Sequence, residues 1–229
     1  MTHKAHPYGF RLGYIRGWKS RWFQRGAYAT YLREDTLLRE WLIRKLREFM
    51  VESVEIERSP RELRIIIRTP RPGLLIGRGG EGIERLRKEI QSKAFTITPD
   101  FPRTITMKVT VEEVKNPEAN ARVVARLIAQ DLERRLPFRR VLKTHISKTI
   151  ATRGVEGVRV LLKGRLDGSE MGRKEWLREG RIPLQTLRAD VDFARETAAL
   201  PYGAIGIKVW IYRGEIFAKE QAEHVAAAK

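Results

Sequence analysis

Between residues 35 and 50 the apolar side chains recur at helical spacing. Leu38, Leu42, Leu46 and Phe49 share one face, with Leu37 and Trp41 beside them. Asp35 stands where an N-cap belongs, so the pattern predicts a helix over 35–50. The period then shortens. VEIER (54–58) and LRIIIR (63–68) alternate like strands, with Ser59-Pro60 opening the turn between them. Pro70, Pro72 and Gly73 interrupt the chain, and helical spacing returns over about 79–92. TITMKVTVEEV (104–114) alternates again and sends Ile105, Met107, Val109 and Val111 one way. The predicted order is helix, strand, strand, glycine loop, helix, strand. Asn116-Pro117 offers a cap followed by proline at the first helical position, so a domain boundary is expected near residue 115 and a helix over 116–136. A second helix is expected over about 137–152, ended by Gly154, and strand-like runs follow at 158–163, 181–193 and 205–213. No internal repeat or low-complexity tract interrupts this order.

Residues 1–33 show no period. Glycine, arginine and aromatic residues interleave there, and two of the five tryptophans, Trp18 and Trp22, fall within it. Disordered tails are poor in aromatics, so the segment is expected to order against a large surface. Arginine and aromatic side chains are the pair that stack on bases and contact phosphates. Lys4, His6, Arg11 and Trp22 are the RNA contacts expected in this segment. In free protein, residues 1–15 are expected to be mobile, with Arg11 open to trypsin.

Charge narrows the partner. The 229 residues carry a net charge of +18 with 42% hydrophobic content, enough apolar material for one large or two ordinary domains. Such a balance predicts attraction to polyanions, of which nucleic acid is the commonest. The absence of cysteine excludes disulfides, thiolate catalysis and cysteine zinc sites. Six Lys or Arg and no apolar run in the first 25 residues argue against a signal peptide. The longest uncharged stretch, 197–207, is too short to span a bilayer, so a cytoplasmic protein without membrane contact is expected.

The stretch GLLIGRGGEGIERLRK (73–88) fits two phosphate-binding motifs. Gly77-x-Gly79-x-x-Gly82, with Asp100 23 residues beyond Gly77, fits a dinucleotide fingerprint. Against that, only Leu74, Leu75 and Ile76 precede the glycines, no strand–helix–strand repeats follow, and Arg78 crowds the pyrophosphate position. Gly77-Arg78-Gly79-Gly80 fits the GXXG loop of a KH domain, whose amides grip backbone phosphates at a helix start. Ile76, Ile83 and Leu86 would support its groove, and Arg78 adds a charge aimed at phosphate. The flanking order of elements is that of a type II KH domain. A third reading is that these glycines only turn the chain.

Between Arg134 and Arg153 lie seven basic and no acidic residues, counting both ends. At 100° per residue Phe138, Val141, Leu142, His145 and Thr149 cluster on one side, and Arg139, Arg140 and Lys143 fall in one arc roughly opposite. A basic face without nearby carboxylates points to nucleic acid; the alternative is a solvated face. His145 is expected in the core with one hydrogen bond. The four histidines, His3, His6, His145 and His224, have no metal spacing. Asp190 and Asp192 share a face, which suits an acid pair or metal site, or pairing with arginines such as Arg165, Arg181 and Arg188. No nucleophile stands beside a base and no Walker loop is present, so no catalytic residue, cofactor or metal is assigned.

Five blocks carry a family resemblance. KAHPYGFRLG, RPGLLIGRGGEGIERLRKE, LERRLPFRRVLK, GRLDGSEMGRKEWLREGRIPLQTLRADVDF and YGAIGIKVWIYRGEI resemble the bacterial family of small-subunit ribosomal protein three, nearly end to end to about residue 217. The resemblance implies an α+β chain: a contacting segment over 1–33, a type II KH domain over 34–115 with a three-stranded sheet and helices, a C-terminal α+β domain over 116–217 with two helices packed on a sheet, and a tail over 218–229. It implies a structural place in the head of the small ribosomal subunit, ribosomal RNA binding, and a part in lining the channel by which messenger RNA enters. Arg139, Arg140 and Lys143 match a family trio linked to unwinding of structured message. The small-subunit proteins ten and fourteen are the implied neighbours. Three departures stand out: Gly-Arg-Gly-Gly where the family often has Gly-Lys-Lys-Gly or Gly-Lys-Gly-Gly, a longer TITPDFPRT stretch, and Leu200-Pro201 in place of a polar pair. The opposed function class is an enzyme, either a nucleotide-cofactor enzyme or a nuclease using the Asp pair.

Overall fold

The computed structural model describes residues 5–97 and 106–217. Lys4, Asp100, the start of the expected strand at 104–105 and the tail 218–229 lie outside them. Two units emerge, Met1–Gly17 with Asn116–Lys229, and Trp18–Lys115. The segment 1–33 is therefore shared. Helix α1 (Pro7–Phe10) goes with the C-terminal residues, whereas β1 (Ser20–Arg21) and α2 (Tyr28–Lys45) open the other unit.

In the Trp18–Lys115 unit, α2 starts well before Asp35. Asp35 is not a cap. It is fully buried and accepts hydrogen bonds from Trp22 Nε1 (2.8 Å) and Arg58 Nη2 (2.5 Å). Glu34, also buried, accepts from Arg58 Nη1 at 2.6 Å. A buried carboxylate holds its place only when paired in this way. Leu38, Leu42 and Leu46 face the core as their spacing predicts. Strands β2 (Ser53–Arg58) and β3 (Glu62–Thr69) form the expected antiparallel pair, with Ile56 opposite Ile65. A short helix α3 (Pro72–Ile76), the glycine turn and α4 (Glu81–Ile97) then lead to β4 (Thr106–Glu113), parallel to β3. The sheet order is β1-β2-β3-β4, so a two-residue strand extends the expected three. Leu86, Ile90 and Ala94 lie on one α4 face and close the core over the sheet. Burial of the Leu86 and Ile90 side chains contributes roughly 1.5–3 kcal/mol each.

In the C-terminal unit, Asn116 does not cap a helix. Pro117–Ala119 form one 3-10 turn, and α5 (Ala121–Glu133) is capped by Asn120, whose side chain accepts from Arg122 N at 3.1 Å. Helix α6 (Phe138–Ala151) matches the second expected helix closely. Strands β5 (Gly157–Gly164), β6 (Arg173–Gly180), β7 (Ala189–Leu200) and β8 (Gly203–Glu215) form an antiparallel sheet in the order β6-β5-β8-β7. The strand expected over 181–193 is a loop until Ala189. Its carbonyls at Pro183, Leu184 and Thr186 accept from the Arg11 guanidinium instead of a neighbouring strand. Strand β6 went unpredicted because both of its faces are largely exposed and its sequence is mostly charged. The core lies between sheet and helices, with Val158, Val160 and Leu162 of β5 meeting Ile128 of α5 and Ile146 of α6 within one cluster.

Candidate nucleic-acid interface

The glycine turn joins helix to helix. Strand β3 ends at Thr69, and α3 intervenes before Gly77. A dinucleotide fingerprint needs a strand leading straight into the loop, so that reading fails. Gly77 (φ 72, ψ −178), Gly79 (φ 60) and Gly80 (φ 84) adopt backbone that L side chains disfavour. A Cβ at Gly79 or Gly80 would meet nothing within 4 Å, so this part of the turn faces open space. Gly82 is different: a Cβ there would lie 2.4 Å from the Leu75 carbonyl oxygen. Its role is close packing of α4 against α3. Arg78 is exposed, Leu86 buried, and Ile76 and Ile83 half-buried. The α4 start thus presents amides beside an exposed cation and an apolar flank, the arrangement that binds backbone phosphate.

On α6 the division of faces is complete. Phe138, Val141, Leu142, His145, Ile146 and Thr149 are buried, while Arg139, Arg140 and Lys143 are exposed. The three cations have no ion-pair partner among the described residues. They border a groove of about 510 Å³ whose other wall includes Glu175, Trp176 and Leu177 of β6. The Glu175 carboxylate is held by Arg173 at 3.9 Å. The Arg139 guanidinium lies 5.5 Å from the Phe138 ring, which fixes its stem against the helix. His145 makes its expected bond, from Nε2 to Asp131 Oδ2 at 2.7 Å.

Residues 37–119 match the family model of the KH domain, and residues 128–211 that of the ribosomal protein S3, C-terminal domain. The small ribosomal subunit protein uS3 of Desulfovibrio desulfuricans is 45% identical over 220 residues, covering 96% of this chain and 99% of that protein. Its counterpart in Endomicrobium trichonymphae is 44% identical over 229 residues, covering 100% and 95%. The chain belongs to the uS3 family. These relatives are named as ribosomal proteins rather than enzymes. The α+β fold, with a KH domain first and an S3 C-terminal domain second, is that of the uS3 family.

The N-terminal contacts expected from sequence fare unevenly. Arg11 is a correction. It is fully buried, and its guanidinium donates to carbonyls of Pro7 (3.1 Å), Pro183 (3.3 Å), Leu184 (3.1 Å) and Thr186 (2.8 Å). A cation that takes four internal acceptors is a pin, not an RNA contact. Trp22 is half-buried: its one donor goes to Asp35, and its ring packs on Tyr28 and Tyr31 at 5.2 and 5.5 Å. His6 is exposed, accepts from Gly9 N and sets its edge against Phe193 at 4.8 Å. Asp190 and Asp192 do pair with arginines, but with others than expected. Asp190 meets Arg16 at 2.5 Å, and Asp192 meets Arg213 at 3.1 Å and Ala121 N at 2.9 Å. Arg165 turns instead to the Ser169 and Tyr202 carbonyls, and Arg188 to Glu215. Sequence reasoning missed Glu175 and Leu177 beside the α6 cations, since their strand had no period to reveal it. Among the described residues no helix is long and apolar enough to cross a membrane.

Proposed function

We propose that the protein is a structural constituent of the small ribosomal subunit head that binds ribosomal RNA and lines the channel by which messenger RNA enters. The glycine turn over 77–80 is its KH-type phosphate grip. The small-subunit proteins ten and fourteen are its neighbours in this reading, as the family resemblance implies. Arg139, Arg140 and Lys143 hold separated strands of message while the moving ribosome draws one of them through. The observation that carries this role is the α6 face itself: three exposed cations on one arc, without carboxylate partners among the described residues, at the lip of a groove. Arginine forks grip phosphate at two points and lysine adds a mobile point charge, so the arc can hold one strand at several places. Translocation supplies the work.

The test is a ribosome carrying Arg139→Ala, Arg140→Ala and Lys143→Ala. All three side chains are exposed, so fold and subunit assembly should survive. Elongation through a stable hairpin should slow more than elongation on unpaired message. Equal slowing on both templates, or none on the hairpin, would refute the unwinding role.

A further inference from the structure

The outward face of the C-terminal sheet carries charge of one sign. Side chains alternate along a strand, and register decides which residues share a face. Val158, Val160 and Leu162 point into the helices, so Arg159, Leu161 and Lys163 point away from them. Register sets Lys174, Trp176 and Arg178 of β6 on one side of these and Lys208 and Trp210 of β8 on the other. Arg195 of β7 lies opposite Lys208. The four strands thus place Arg159, Lys163, Lys174, Arg178, Arg195 and Lys208 outward, and no acidic residue with them. Their carboxylates, Glu175, Glu179 and Glu196 among them, fall on the alternate positions.

The pairing is costly. Arg159 lies opposite Arg178, Lys163 opposite Lys174 and Arg195 opposite Lys208, and like charges directly opposite each other destabilise a sheet. None of the six has an ion-pair partner among the described residues. Aromatic rings lie within the cationic field. The Arg159 guanidinium is 4.8 Å from the Trp176 ring and 5.4 Å from the Trp210 ring, and its Nε meets no acceptor. Burial, and after it the charge of Arg178, hold the Arg159 pKa below its ordinary value. Trp176 remains 50% exposed on top of this stack. Toward the other end the face is covered, with Ile182 and Leu184 packed on Val191 and Tyr212, and His6 on Phe193. The open part is the part that holds Trp176 and the lysines.

We infer that this open face is a second RNA-binding surface, which holds a single-stranded segment of ribosomal RNA through phosphate contacts to its lysines and arginines and a base stacked on Trp176. A polyanion offsets all three like-charged pairs at once. An acidic peptide would do so too, but it has no flat ring to place on an exposed indole, whereas every base has one. Unpaired bases are the ones free to stack, which selects a single strand over a duplex. The assignment to ribosomal RNA rests on the function proposed above. Helix α6 packs on the opposite face of the same sheet, so a domain that meets message with α6 turns its outward sheet face away from it.

The experiment uses the full chain in three forms: Lys163→Ala/Lys174→Ala/Lys208→Ala, Trp176→Ala, and the α6 triple variant. The first probe is a twelve-nucleotide uridine RNA, followed by anisotropy across a salt series. The lysine triple should flatten the log–log salt slope by about 2, roughly 0.7 for each phosphate left without its lysine. Trp176→Ala should weaken binding about tenfold. Thermal melting of the lysine triple should stay level or rise, since like-charge repulsion is relieved. The second probe is ultraviolet crosslinking in assembled small subunits, where the peptide 173–180 should carry ribosomal RNA. Unchanged slope and affinity in both sheet variants would overturn the inference. So would a crosslink to message alone, or a failure of subunit association while RNA affinity stays intact, which would indicate an acidic protein on this face. Failure of the α6 reading shows separately, as normal hairpin elongation by the α6 variant, and the lysine triple is the arm that separates the two surfaces, because Trp176 also lines the groove beside α6 whereas the three lysines do not.

Discussion

Placing carboxylates at Gly79 and Gly80 tests the glycine turn most sharply, because the two positions separate charge from fit. Neither Cβ would meet an atom within 4 Å, so Gly79→Asp/Gly80→Asp creates no clash. Both residues have positive φ, 60° and 84°, which costs a side chain about 1 kcal/mol at each position, and aspartate tolerates this conformation better than most. The sum, about 2 kcal/mol, is small against the stability of an ordinary domain, about 5–15 kcal/mol. The electrostatic effect follows from distance. A carboxylate about 6 Å from a phosphate repels it by about 0.7 kcal/mol in a water-like dielectric. Two carboxylates then give about 1.4 kcal/mol, a tenfold loss of affinity. Gly79→Lys/Gly80→Lys imposes at least as much backbone strain with the opposite charge, so it should bind as tightly as the unmodified turn or more tightly. The assay is RNA anisotropy on residues 18–115, with circular dichroism confirming the fold of each variant. Normal binding by the aspartate pair would refute the phosphate grip. Equal losses for aspartate and lysine would refute the charge argument and leave a turn that matters only for its shape.

Two further outcomes follow from buried cations. Arg58→Ala leaves Glu34 and Asp35 buried without their partner, so urea denaturation of residues 18–115 should show a loss of about 3–5 kcal/mol. Arg11 should resist trypsin in free protein, with the first cut in the exposed turn at Arg25, and Arg11→Ala should open the N-terminal segment to proteolysis while removing about 3 kcal/mol from the C-terminal unit; early cleavage after Arg11 would show that the pin does not hold.

Much of this architecture is legible in the sequence because burial is periodic. Leu38, Leu42 and Leu46 mark α2, Ile56 and Ile65 mark the KH hairpin, and the α6 faces separate as their spacing predicts. The errors arise where polar groups act inside the protein. Asp35 looks like a cap by position, but three-dimensional pairing with Arg58 and Trp22 puts it in the middle of a helix. Arg11 looks like a phosphate ligand by composition, but three of the four carbonyls that it satisfies lie more than 170 positions away in the chain. Strand β6 has no apolar stripe, so only its ladder with β5 defines it. The α6 trio needed helical periodicity alone, whereas the outward sheet face needed register, which no local pattern supplies.

The net charge of +18 is therefore not spread as a uniform coat. Many of the carboxylates are committed to internal pairs: Glu34 and Asp35 to Arg58, Asp190 and Asp192 to Arg16 and Arg213, Glu196 to Arg126. Each pair holds two segments distant in sequence, and each withdraws an acid from the surface. The pairs take acids and bases in nearly equal number, so the cationic excess stays outside, and strand alternation concentrates it by sending acids and bases of the same strands to opposite faces. Self-repulsion on such a surface opposes folding of the free chain, and a bound polyanion relieves it. RNA and folding thus stabilise each other by linkage. Salt divides the two effects: it screens the repulsion in the free protein but weakens the RNA contacts that replace it.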